Sequence, residues 1–274
     1  MHGDDTVGVV DFHMHVYEKP WNSWVVEYLK KINPQIDYTR PIDEGILIRE
    51  MDSAGVELGV VFAESTPEVT GTVSNEFVAR LGKNDRIIPF CSVNPSKSEN
   101  VVEILEYCIN ELSMKGLKLL PSYMYFYPND TKVYPLYEKA VELDIPVVFH
   151  TGTSIFRNVR QKYADPLLLD DVAVDFPDLK IVMAHSGRGL WYNTALMLAR
   201  IHDNVYLEFS GLPPKRIPEY FPNLEELEDK LIFGSDWPGC NLRELVNGFK
   251  NLPYSNKVKR KMLRENALKL LKVE

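Results

Sequence analysis

A chain of 274 residues, 45% hydrophobic and 26% charged, can bury a large core, which suits one α/β barrel or two ordinary domains. A net charge of −8, a pI near 5.4 and no basic cluster beyond a solvated helix face at 257–264 argue against nucleic acid as a main partner. Three scattered cysteines (Cys91, Cys108, Cys240) give neither a disulfide framework nor a CxxC site. No apolar run approaches the ~18 residues of a membrane span, so the expectation is a soluble cytoplasmic protein with no membrane partner.

The first predicted strand covers 7–12 and runs into Asp11-Phe12-His13-Met14-His15. Side chains alternate along a strand, so His13 and His15 share one face about 6–7 Å apart, which is half of a metal site. The segment 16–42 is irregular and carries Trp21, Trp24, Tyr28 and Tyr38 among Pro20, Pro34 and Pro41. It reads either as a lid with some helix in it, covering the active site, or as an insertion packed on the rim. Asp43 then caps a helix whose apolar stripe is Ile46, Leu47, Met51 and Ala54, and Gly55 stops it.

Further short apolar, β-branched runs fall at 57–63, 87–93, 116–120, 146–150, 180–184, 204–209 and 231–235. Such runs suit strands buried on both faces of a parallel sheet, and Pro146 is tolerated at a strand start. Helical stripes lie between them, at 101–109, 133–143 and 196–201. Eight strands alternating with helices, and no glycine-rich turn after the first, favour a (β/α)8 TIM barrel over a doubly wound sheet. The whole of 1–274 is read as one domain.

In a parallel barrel the reacting groups gather where strands end. Here the ends carry His13 and His15, Lys118, His150, His185, Glu208-Phe209-Ser210 and Asp236. Four of the six histidines lie at such ends; His2 and His202 do not, and receive no role. Alone, each histidine reads as an ordinary core or rim residue, and Asp236 as a turn cap. Together, three neutral imidazoles and a carboxylate make a ligand shell for one Zn2+, with a position left for water. Mn2+, Fe2+ and Co2+ suit the same donors. The Ser210-Gly211 and Gly234-Ser235 turns lack the Gly-x-Gly or lysine cradle of a phosphate site.

The His-x-His of the first strand, Gly116-Leu117-Lys118-Leu119-Leu120-Pro121 and the later strand-end motifs resemble the amidohydrolase superfamily. Tyr163-Ala164-Asp165-Pro166, Phe176-Pro177-Asp178-Leu179, Ala184-His185-Ser186-Gly187 and Asn266-Ala267 resemble its amidohydrolase-2 branch. That branch is similar to aminocarboxymuconate-semialdehyde decarboxylase and related metal-dependent hydrolases. The resemblance implies His13, His15, His150 and Asp236 as metal ligands and His185 as the catalytic histidine. Asp236 would also take a proton from metal-activated water. Lys118 is read as a carbamate bridging two metals, as an ammonium binding a substrate anion, or as a barrel-interior residue.

Arg188 and Arg157, with Arg160 in the same loop as Arg157, are candidate contacts for a substrate carboxylate. Trp237 either lines the pocket or packs under its rim, and Glu64 stands where it can support a ligand. The expected function is metal-dependent hydrolysis of a C–O or C–N bond, an amide or lactone, in a small organic acid. A decarboxylase of a small carboxylated substrate shares the same ligands, and a metal-binding protein without turnover is a further alternative. A homodimer or other homo-oligomer is the default expectation.

Overall fold

The computed structural model describes residues 8–273. In chain order the strands are β1 (Val9–His15), β2 (Val56–Phe62), β3 (Glu64–Thr66), β4 (Gly71–Val73), β5 (Ile87–Ser92), β6 (Leu117–Leu119), β7 (Val147–His150), β8 (Ile181–Ala184), β9 (Val205–Glu208) and β10 (Leu231–Ile232). Eight of them form one parallel sheet in the order β1-β2-β5-β6-β7-β8-β9-β10, while β3 and β4 make a separate antiparallel pair. Sequential parallel neighbours with helices between them are the barrel topology that the strand rhythm predicted.

Every residue of β5, β7 and β8 is buried, as strands enclosed on both faces require. Alternate residues divide into two cores. Val10, Phe12, Val60, Phe62, Phe90, Val148, Val182 and Ile232 fill the barrel interior, and Ala267, Leu270 and Leu271 of the last helical turns join them. The intervening residues, such as Val61, Val147, Phe149, Ile181 and Met183, pack outward into the larger core with the helices.

The first strand departs from simple alternation. Its register on β2 shifts between Asp11 and Met14. The shift lets Phe12 join the interior core while His13, the next residue, also turns inward to pack 4.8 Å from the Phe62 ring. The strand runs on through His15 instead of ending near residue 12, and Val7, its predicted start, lies outside the described residues. At the other end β10 is only two residues long. The chain beyond it closes the barrel irregularly, through Phe12 N to Phe233 O (3.0 Å), Asp236 N to His13 O (2.9 Å) and His15 N to Trp237 O (2.7 Å).

Within 16–42 a helix, α1 (Ser23–Ile32), docks on the β3–β4 pair: Asn22 N donates to Thr70 O (2.8 Å) and Trp24 Nε1 to Val69 O (2.9 Å). The Asn33 side chain, at the end of α1, donates to Pro238 O and Cys240 O, each at 2.7 Å. Helix α2 (Glu44–Ala54) has the predicted ends, with Asp43 accepting from Ile46 N and Gly55 left-handed at φ 73°. Among the described residues no helix is long and apolar enough to cross a membrane.

Candidate metal centre

His13 and His15 come from β1, Lys118 from β6, His150 from the last residue of β7, and His185 from the turn after β8. That turn is backbone-strained: His185 and Ser186 have φ of 65° and 45°, and Asp236 across the barrel has 66°. Non-glycine residues in this region cost about 1–3 kcal/mol each and persist where the surroundings over-determine them. Here the Ser186 hydroxyl donates to Glu208 O (2.8 Å), and Gly187 N donates to the Thr151 hydroxyl (3.0 Å).

The hydrogen bonds assign the imidazole protons. Ser210 O lies 2.9 Å from His185 Nδ1, and a carbonyl only accepts, so Nδ1 carries the proton and Nε2 a lone pair. His150 Nδ1, 3.2 Å from that lone pair, is then a donor. This leaves His150 Nε2 as a bare lone pair, buried and without a partner among the described residues. His13 Nδ1 faces Glu208 Oε2 at 3.1 Å, so its Nε2 also bears a lone pair. No hydrogen bond fixes His15, but the Glu64 carboxylate 3.8 Å from its Nδ1 favours the proton there and the lone pair on Nε2. Burial first, then nearby cations and imidazoles, holds His13, His150 and His185 well below the ordinary histidine range. All three are neutral.

Two of these lone pairs face each other, His13 Nε2 and His15 Nε2 standing 3.1 Å apart. Asp236 Oδ1 lies 3.6 Å from the first and 3.4 Å from the second. Ligand atoms on a tetrahedral ion with bonds of 2.0–2.1 Å stand about 3.3 Å apart. The three donors therefore have the spacing and the charge to hold a divalent cation, which would relieve the repulsion between the lone pairs. His185 belongs to the same cluster, since it, His13 and Asp236 each offer an atom within 4.8 Å of the others. Its Nε2, however, already accepts from His150.

Glu208 stands among the strand-end residues, but the sequence alone assigns it no role. It is fully buried and accepts from Ser210 N (2.8 Å), Ser210 Oγ (2.8 Å) and His185 N (3.2 Å) besides His13. A Cβ on Gly234 would stand 1.8 Å from Glu208 Oε1, so only glycine fits opposite it. Its signal was its place at the end of the seventh apolar run. Glu64 is likewise buried, accepting from Thr66 Oγ1 (2.8 Å) and Thr70 Oγ1. Lys118 is buried with Nζ 3.4 Å from His13 Nε2 and 4.4 Å from the Phe62 ring centre. Burial pulls its pKa down to about 8 against the opposing pull of Glu208, Asp236 and Glu64.

These groups form the floor of a cavity of about 290 Å³. Its walls are largely apolar: Trp21, Val25 and Leu29 from the 16–42 segment face Leu120, Ile155 and Phe156. Arg188 lines it, with Nη1 3.7 Å from Asp236 Oδ2 and Nε donating to Thr153 O (3.1 Å). Arg157 does not line it; exposed, it lies over the Trp24 ring at 5.8 Å, while Arg160 lies over Tyr125 at 4.6 Å. Trp237 is fully buried and packs under the rim. His202 pairs with Asp170 at 2.6 Å, and His2 lies outside the described residues.

The amidohydrolase family model matches residues 10–273. The chain belongs to the amidohydrolase family. A γ-resorcylate decarboxylase of a Polaromonas species is 24% identical to this amidohydrolase over 284 aligned residues, covering 82% of this chain and 86% of that protein. An uncharacterised TIM-barrel protein of Bordetella bronchiseptica superposes with a TM-score of 0.80 at 23% identity, covering 97% and 99% of the two chains. The 5-carboxyvanillate decarboxylase of Novosphingobium aromaticivorans, complexed with manganese and 4-hydroxy-3-methoxy-5-nitrobenzoic acid, superposes with a TM-score of 0.72 at 17% identity. That match covers 99% of this chain and 98% of the other.

These relatives overturn the hydrolytic expectation, because those with a named activity are decarboxylases. The physical reason for the error is that the ligand shell is common to both chemistries. A charge that activates water also neutralises a bound carboxylate, and strand-end residues alone do not separate the two.

Proposed function

We infer that this amidohydrolase is a divalent-metal-dependent decarboxylase of a small aromatic carboxylic acid. The observation that carries the reading is similarity to γ-resorcylate decarboxylase over most of both chains. The cavity supports it: apolar and aromatic walls over a floor of ligand atoms suit a flat ring with one charged end. His13, His15 and Asp236 would hold the metal, and His150 Nε2, buried with no partner among the described residues, is the candidate fourth donor. A divalent metal bound there would supply positive charge to neutralise the substrate carboxylate. Mn2+, which the 5-carboxyvanillate enzyme holds, suits these donors, as do Zn2+, Fe2+ and Co2+.

The chain's own groups do the rest. Arg188, fixed by Thr153 O, offers its guanidinium to the carboxylate end of the substrate. Loss of CO2 leaves an electron pair on a ring carbon, which must take up a proton. That proton comes ultimately from solvent. Of the titratable groups lining the cavity, Asp236 is the candidate to relay it, because its Oδ2 points away from the histidine pair toward Arg188, with His185 beside it. The 16–42 segment covers the cavity through Trp21, Val25, Tyr28 and Leu29 and excludes water from the ring. Three unpaired cysteines suit a reducing, cytoplasmic setting.

The test is CO2 release by Mn2+-loaded protein from a panel of hydroxylated and methoxylated benzoates, including 2,6-dihydroxybenzoate and 5-carboxyvanillate. Turnover of at least one is expected, lost on chelation and in His185→Ala. No CO2 from any member overturns the reading.

A further inference from the structure

One feature of the cavity wall is used by neither the metal cluster nor the carboxylate end. Tyr123, in the helical turn Pro121–Met124, and Ser154, in the loop after β7, both line the cavity, and both are at least nine-tenths buried. Their hydroxyls stand 2.8 Å apart. Ser154 is rigidly placed, because Gln161 brackets its backbone: Ser154 N donates to Gln161 Oε1 (3.2 Å) and Gln161 Nε2 donates to Ser154 O (2.7 Å). Tyr123 is held by its ring, which packs edge-on against His150 with centroids 4.8 Å apart.

Counting protons shows that this pair is incomplete. Each hydroxyl carries one proton to donate. Ser154 Oγ accepts from Phe156 N (3.3 Å), and the contact between the two hydroxyls uses one proton only. If Tyr123 donates to Ser154, the serine proton has no acceptor in the protein; if Ser154 donates, the tyrosine proton has none. In either arrangement one O–H is left over among the described residues, in a cavity whose lining also includes the apolar Leu120, Ile155 and Phe156. A buried donor without an acceptor costs about 1–3 kcal/mol, and a ligand that supplies the acceptor recovers it.

We propose that the Tyr123–Ser154 pair is a specificity site that reads an acceptor oxygen on the substrate's ring, on the side of the cavity beside His150. The inference rests on the aromatic-acid reading above. It predicts discrimination by oxygen and not by size, because a hydroxyl pair in an apolar wall rejects an isostere that cannot accept.

The test uses metal-loaded protein and matched ligands: 2-, 3- and 4-methoxybenzoate against the ethylbenzoates of the same shape, by titration calorimetry. At one ring position the wild type is expected to bind the methoxy acid about tenfold more tightly than the ethyl acid. The double variant Tyr123→Phe/Ser154→Ala, which removes two oxygens and no packing carbon of the ring, is expected to bind the two equally, with unchanged metal content and Tm. Equal affinities in the wild type at all three positions overturn the proposal, whether or not the variant folds. A preference that survives in the double variant overturns it too. A wild type that binds none of the benzoates overturns the aromatic-acid reading itself, and this inference with it.

Discussion

Glu208 decides which nitrogen of His13 is free, and so whether His13 can serve as a ligand. Its carboxylate fixes His13 Nδ1 as a donor and, through Ser210, holds the segment against which His185 is oriented. Glu208→Gln places an amide where backbone N–H groups require acceptors. It is expected to lower metal affinity by about 10–100-fold, read by competition with a chelating dye, because partners behind metal ligands have effects of that size. His13→Ala and Asp236→Ala are expected to lose stoichiometric metal by elemental analysis; metal retained in both would remove the ligand assignment. His185→Ala should keep its metal and lose CO2 release, since its Nε2 is committed to His150.

At the scale of elements, the cavity is a joint between α1, the β3–β4 pair and the loop that carries Asp236. Asn33 is the pin, with its amide protons on Pro238 O and Cys240 O and its own oxygen accepting from Gln35 (3.1 Å). Asn33→Ala strands two carbonyls at a cost of about 1–3 kcal/mol. A Tm lowered by several degrees is expected, at ~2–4 °C per kcal/mol, together with a fall in kcat/KM. An unchanged Tm and an unchanged kcat/KM would show that the pin is dispensable. Gly211 sets a second constraint: a Cβ there would stand 2.5 Å from Arg188 Nη1, on a backbone with φ 65°. Gly211→Ala should raise KM more than it lowers kcat if Arg188 binds the carboxylate, and an unaltered KM would dissociate Arg188 from substrate binding.

Over the whole molecule, the candidate metal cluster sits on the seam where the barrel closes irregularly. β10 has two residues, and beyond it β1 is joined to the 233–237 segment by single hydrogen bonds instead of a full ladder. His13 and His15 lie on one side of that seam and Asp236 on the other. An ion shared among them would tie the first strand to the last. Metal at 100 times its Kd adds about 2.7 kcal/mol to stability, which corresponds to a Tm rise of ~5–10 °C. Calorimetry with and without chelator should show that rise in the wild type and none in His13→Ala; no rise in the wild type would place the metal elsewhere.

Much of this was written locally. The apolar runs announced the barrel strands to within a residue or two, except at β1 and β10, where a register shift and the irregular closure depend on pairing with distant chain. The short β3–β4 pair had no apolar run to announce it. Asp43 and Gly55 marked the ends of α2 because capping is settled within one helical turn. The strand-end positions of His13, His15, His150, His185 and Asp236 were legible for the same reason. What the sequence by itself determined was the set of donors and the barrel that collects them, since both follow from short-range sterics and alternating burial. Only the tertiary structure decided that Glu208 lies behind His13 across 195 residues, that Arg188 lines the cavity while Arg157 does not, and that two hydroxyls share one bond in its wall. Those are distances between distant parts of the chain, and no local pattern encodes them.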